Sequence, residues 1–188
     1  MPGYLAALTL VILAGTVVTR VILMARAGIR ALHFGRLDKT DFLIPPLALV
    51  YFYTILAAAF QLPSLGQQKF FQSEALAWAG ALICLGGALI LLLSVISFGR
   101  SFRVGIDFEH PGQLVTTGLF AYSRNPIYVA FGLVLLGQFL VFPNWIPLAY
   151  LGAGLWLLHR QVRREEEFLK RQYGQAYADY CRRVRRYI

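Results

Sequence analysis

The sequence predicts an all-α, polytopic membrane protein with about five transmembrane helices and a C-terminal polar portion that forms a pocket on the cytoplasmic side. Three observations carry the fold class. Hydrophobic residues make up 58% of the 188-residue chain and charged residues only 14%, against ~45–50% and ~25% in soluble domains. A soluble core of this size cannot absorb that much apolar surface. The apolar residues are also gathered into runs of about 20, the length of helix that crosses a ~30 Å hydrocarbon core.

Taken in order, the first run is 5–25, "LAALTLVILAGTVVTRVILMA". It is too long for a signal-peptide core and no small-residue cleavage site follows it, so the expectation is that it is retained. The second is 42–62, "FLIPPLALVYFYTILAAAFQL", and the third 75–99, "ALAWAGALICLGGALILLLSVISFG". A fourth apolar region, 127–161, is broken by "FPNW" at 142–145. It is too long for one span and short for two full ones. A tight helical hairpin turning at Pro143-Asn144 fits it, with arms of about 16 residues reaching ~24 Å.

The basic residues give the orientation. Of the 18, all but Arg20 and Lys69 fall after the first, third or fifth span. The N-terminus is therefore expected outside and the C-terminus in the cytoplasm, the membrane being the inner or plasma membrane if the cell is prokaryotic. This asymmetry, with contact to anionic lipid, accounts for the formal charge of +9 without nucleic acid. Arg20 reads either as an intramembrane functional charge or as a side chain snorkelling to the nearby surface. Gly80, Gly86, Gly87 and Ala88 permit close helix packing in lipid. Cys84 and Cys181 are too far apart in sequence and setting to suggest a disulfide framework, and His33, His110 and His159 are too scattered for a metal site.

The chain divides functionally into a three-helix membrane portion, 1–99, and residues 100–188, which hold a connecting loop, the hairpin and a tail helix, all within one structural domain. The loop "GRSFRVGIDFEHPGQLVTTGLFAYSRNPIY" is long, but its spaced apolar residues argue that it folds against something. Pro126 suits the first position of a helix, whose leading amides form an anion site, and Asn125 stands where a cap would stand. This stretch reads equally as a plain cap with an interfacial arginine. In the tail, Leu169, Tyr173, Tyr177, Tyr180 and Val184 form a helical stripe that Gly174 interrupts at a cost of ~1 kcal/mol. Glu165 shares the face of that stripe. It is open whether Glu165 pairs locally with Arg163 or Arg164 or serves a site. The hairpin would return "RNPIY" and "RREEE" to the same membrane face, with a polar pocket between them.

"LVTTGLFAYSRNPIYVA" followed by "EEEFLKRQYGQAYADYCRRV" resembles the integral-membrane methyltransferases of the isoprenylcysteine carboxyl methyltransferase and phospholipid methyltransferase group. Two separated motifs occur in the right order with a hairpin-length gap, over roughly 100–188. The resemblance implies a membrane methyltransferase that uses S-adenosylmethionine and takes a lipophilic acceptor from the bilayer. Cofactor contacts would come from Gln113, Leu114, Val115, Gly118, Phe120, Asn125, Pro126, Tyr128 and Glu165. Arg124, Glu165 and Glu166 would be the catalytic group, and Arg103 and Arg164 the acceptor anchors. Asn125 stands where the group has histidine, and Gln161 where its eukaryotic members have a substrate-contacting arginine. Two other readings fit less of the pattern: an NADPH-dependent membrane reductase of sterol or isoprenoid double bonds, and a non-catalytic scaffold whose basic face recruits lipid.

Overall fold

The computed structural model describes residues 1–28, 44–63, 68–98 and 114–188. Among these lie five α-helices and one 3-10 turn: α1 (Pro2–Arg26), α2 (Ile44–Phe60), α3 (Glu74–Phe98), the 3-10 turn (Gly118–Ala121), α4 (Pro126–Val141) and α5 (Trp145–Arg183). Among the described residues the class is all-α, with an isolated bridge between Ser123 and Arg185. Helices α1 and α3, of 25 residues each, are long and apolar enough to cross a membrane. Helices α2 and α4 are equally apolar but shorter, at 17 and 16 residues.

The hairpin turns where the Pro-Asn pair predicts. Helix α4 stops at Val141 and α5 starts at Trp145, with the Asn144 side chain accepting the Ile146 amide at 2.9 Å as a cap. The second arm differs from expectation. Instead of ending near 161, α5 continues into the tail, and its one non-helical residue is Gly174 (φ 50°, ψ −121°). The reason is local. From Leu155 to Tyr173 there is no Gly or Pro, and the change to Arg, Gln and Glu alters polarity without lowering helix propensity. Only at Gly174 does the backbone find a residue that tolerates positive φ.

Helix α3 lies against α4 so closely that glycine is required. A Cβ on Gly137 would sit 2.5 Å from the Gly80 carbonyl, and one on Gly87 would sit 2.9 Å from the Ala130 carbonyl. Cys84, between Gly80 and Gly87, is fully buried against Val134. Gly86 does not share this role: a Cβ there meets nothing within 4 Å. Three hydroxyls inside the bundle are satisfied by their own helices. Thr9, Thr54 and Ser94 each donate to a carbonyl three or four residues back, at 2.6 to 2.8 Å. Tyr51 donates to the buried Gln138 amide, whose nitrogen reaches the Ala6 carbonyl at 3.4 Å, so α1, α2 and α4 share one polar tie. Leu8, Val11, Val18, Leu49, Leu82, Leu89 and Ile96 point outward instead, the surface a lipid-embedded bundle presents.

The helices alternate in direction, which separates two ends. At one, Gly3 and Ala59 lie beside Phe142, and the Phe70 amide donates to the Pro143 carbonyl at 2.8 Å. At the other, Ser97 and Phe98 of α3 meet the turn at Gly118–Phe120. The candidate site is at this second end.

Candidate active site

The chain entering α4 is pinned to α3 before it reaches the site. Gly118 has φ +62°, and a Cβ there would run into the Ser97 hydroxyl oxygen, so both conformation and space call for glycine. The Phe120 ring packs edge-on against Phe98, with centroids 4.5 Å apart. Its carbonyl accepts the Tyr180 hydroxyl at 2.6 Å. The Ser123 hydroxyl accepts the Asn125 amide at 3.2 Å. Pro126 then opens α4 at a position where its missing N–H costs nothing.

Asn125 occupies the N-cap position, but its side chain does not cap. Its backbone carbonyl accepts the Tyr128 and Val129 amides, both at 3.1 Å. Its side-chain nitrogen donates instead to Glu166 Oε1 at 3.2 Å and to the Arg186 carbonyl at 3.0 Å. Asn125 thus stands at the expected cap position, but its side-chain amide hydrogens are committed within the protein.

The two glutamates have different surroundings, since neighbours on a helix diverge by about 100°. Glu166 faces two arginines: Arg186 at 2.8 Å and Arg124 at 3.4 Å. Glu165 faces none among the described residues. It accepts the Tyr128 hydroxyl at 2.5 Å and the Gln161 amide at 3.0 Å, both neutral donors. The local pairing with Arg163 or Arg164 considered from sequence is therefore not the one made. Burial holds the Glu165 pKa above the ordinary carboxylate range, and the two donors offset this only in part.

The other wall comes from beyond Gly174. Glu166 and Arg186 are 20 residues apart, which a straight helix would separate by ~30 Å, yet they form an ion pair. The His159 ring and the Tyr187 hydroxyl meet at 2.7 Å across 28 residues. The break at Gly174 thus turns the chain back. Tyr177, Tyr180 and Val184 pack together with Leu114 against them, and the Arg124 amide donates to the Arg185 carbonyl at 3.0 Å. Arg124 also donates to the Cys181 sulfur. Two buried polar atoms here, Arg124 Nε and the Tyr177 hydroxyl, have no hydrogen-bond partner among the described residues.

Of the residues singled out from sequence, Arg124, Asn125, Tyr128, Glu165 and Glu166 come together in one cluster. Leu114 packs on its outer wall, half-buried Val115 follows, and Pro126 is buried at the start of α4. Gly118 and the Phe120 ring are engaged with α3. Arg164 is half-buried on α5. Gln113 and Arg103 lie outside the described residues. Sequence reasoning missed Arg186, which it counted only as a topogenic charge. It also read Tyr177 as plain packing.

Residues 75–176 match the family model for phospholipid methyltransferase, more than half of the chain. The chain belongs to the phospholipid methyltransferase family. The match begins well before residue 100, so it takes in α3 as well as the hairpin, and it ends just past the Gly174 break. Similar relatives include the probable protein-S-isoprenylcysteine O-methyltransferase of Oryza sativa subsp. indica, 27% identical over 110 residues, covering 57% of this chain and 58% of that one. Protein-S-isoprenylcysteine O-methyltransferase B of Arabidopsis thaliana is 28% identical over 108 residues, covering 56% and 55%. The Schizosaccharomyces pombe protein-S-isoprenylcysteine O-methyltransferase is 30% identical over 105 residues, covering 54% and 44%. This phospholipid methyltransferase family member thus spans about half the length of the curated relatives it matches.

Proposed function

We propose that this protein is an integral-membrane methyltransferase that uses S-adenosylmethionine to methylate a lipophilic acceptor reaching the site from the bilayer. The observation that carries this reading is the meeting of two distant polar motifs: Asn125 with Glu166 at 3.2 Å, and Tyr128 with Glu165 at 2.5 Å. About five membrane helices, an outside N-terminus and a cytoplasmic site complete the proposal. The segregation of charge supports that orientation: the hairpin end carries Lys69, while Arg26, Arg124 and the C-terminal arginines lie at the other.

The residues fit a cationic methyl donor. Glu165 is a largely desolvated carboxylate whose donors among the described residues are both neutral, and such a charge is costly until a cation meets it. When bound, S-adenosylmethionine supplies a methyl group on a positively charged sulfur, open to in-line displacement. The protein's part is then positioning and electrostatics. Tyr128 and Gln161 fix Glu165, while Asn125, Arg124 and Arg186 fix Glu166. Gln161 is spent on Glu165 rather than on an acceptor carboxylate. An isoprenylcysteine-like carboxylate would need no base. A phospholipid-like amine must shed a proton, which Glu165, with its raised pKa, suits as general base. Arg103 and Arg164 are proposed to anchor an anionic group of the acceptor.

Calorimetric titration of the folded protein in detergent with S-adenosylmethionine tests the reading: saturable binding is expected, and folded protein that takes up no ligand ends it. A radiolabelled-methyl assay on total membrane extract then identifies the acceptor.

Glu165→Gln should separate stability from binding. A carboxyl whose pKa is raised by folding binds its proton more tightly in the native state. Its cost is therefore absent at pH below the ordinary carboxylate value, grows as pH rises toward the raised native value, and stays constant above it. The glutamine variant lacks that titration. Its melting temperature should match wild type in acid and exceed it at neutral pH, while its affinity for S-adenosylmethionine falls. Equal melting temperatures at every pH would show that Glu165 is not held at a cost.

A further inference from the structure

Tyr177 and Arg124 each keep a buried polar atom without a hydrogen-bond partner among the described residues, and both flank Glu166. A buried hydroxyl left unpaired carries a desolvation penalty that phenylalanine in its place would not incur. Tyr177 is 3% exposed, so solvent does not relieve it. The Cys181 sulfur beside it is at most a weak hydrogen-bonding partner, and Arg124 already engages it. Asn125, which the family resemblance names as a cofactor contact, has given its amide hydrogens to Glu166 and the Arg186 carbonyl.

The charges around these atoms are unequal. Arg124 and Arg186 surround one carboxylate, Glu166, leaving that side with an excess of one positive charge. One residue earlier on α5, Glu165 leaves an excess of one negative charge among the described residues, where its donors are neutral. A ligand end that carries a cation and a carboxylate a few bonds apart complements both excesses.

We propose that the Tyr177 hydroxyl and Arg124 Nε form a carboxylate subsite that takes the α-carboxylate of the methionyl end of S-adenosylmethionine. The inference rests on the proposed use of that cofactor. Tyr177, read from its spacing as part of a packing stripe, then becomes a binding residue. Both atoms act as donors: burial keeps the Tyr177 phenol protonated, and a guanidinium donates only.

The test measures binding of S-adenosylmethionine and of its decarboxylated analogue to wild type and to Tyr177→Phe by calorimetry in detergent, with thermal unfolding of each protein without ligand. Loss of one hydrogen bond to a charged group should weaken S-adenosylmethionine binding about tenfold. The analogue, which has no carboxylate, should bind both proteins equally. Without ligand, Y177F should melt at or above the wild-type temperature. Unchanged affinity of Y177F for S-adenosylmethionine, or an equal loss for both ligands, overturns the subsite and leaves the proposed cofactor standing. A Y177F protein that melts well below wild type makes the hydroxyl structural and overturns the subsite as well. If wild type binds neither ligand, the subsite falls together with the proposed function.

Discussion

Glu166→Ala is expected to lose binding of S-adenosylmethionine by at least a hundredfold and to destabilise the folded protein by about 3 kcal/mol. Glu166 is the hub through which three parts of the chain meet. One oxygen takes the Asn125 amide and faces Arg124, and the other takes two nitrogens of Arg186. Truncation strands these partners unequally. Arg186 has 42% of its side chain exposed and can turn to water, which places the cost at the low end for a broken buried pair. Arg124 cannot, with 13% of its side chain exposed and its Nε already unmatched. An unpaired buried guanidinium pushes the start of α4 away from α5, and with it the geometry of Tyr128 and Glu165. Glu166→Gln should fall between, keeping an acceptor for Asn125 while losing both ion pairs. Chemical or thermal unfolding in detergent and calorimetric titration measure the two effects. An alanine variant with wild-type affinity would remove Glu166 from the site.

How much of this was legible in the sequence depended on the kind of signal. The helices were, because in lipid a run of apolar residues is itself the constraint: α3 begins and ends within one residue of 75–99. The hairpin turn was, because Pro143 and Asn144 have local conformational reasons to be there. That Asn125 and Tyr128 would meet Glu165 and Glu166 followed from the hairpin alone, since a turn between two arms of similar length returns their outer ends to one level. The partner of each glutamate did not follow. That choice is set by the rotation of α5 about its axis, which residue spacing does not fix against α4. Nor did the role of Arg186 follow. A basic residue near a C-terminus is ordinary topogenic charge unless the chain reverses, and the reversal depends on the backbone of one residue, Gly174. Its sequence signal was a helix-weakening glycine, which leaves open whether the helix bends, frays or breaks.

Gly174 therefore carries the second large prediction. Its φ of +50° with ψ of −121° lies outside the helical and left-handed regions, in space that a residue with a Cβ enters at a cost of about 1–3 kcal/mol. A Cβ there would touch nothing within 4 Å, so Gly174→Ala introduces no clash, and the whole effect is conformational. Alanine also favours the competing straight helix by about 1 kcal/mol. Straightening carries Arg186 ~30 Å from Glu166 and breaks the Tyr180 bond to the Phe120 carbonyl and the Arg124 bond to the Arg185 carbonyl. Those contacts oppose the change, so the variant should populate both forms and bind S-adenosylmethionine at least tenfold more weakly. The chain supplies its own probe, because it has two cysteines: Cys84, fully buried between α3 and α4, and Cys181, half-buried against Arg124 beyond the break. In Gly174→Ala a thiol reagent should label Cys181 faster than in wild type while Cys84 stays protected. Equal Cys181 labelling and equal affinity in the two proteins would show that the folded-back terminus does not depend on glycine. Faster labelling of both cysteines would signal general unfolding, and the hinge would then have to be tested by Arg186→Ala, which cuts the same contact while leaving the backbone of residue 174 unchanged.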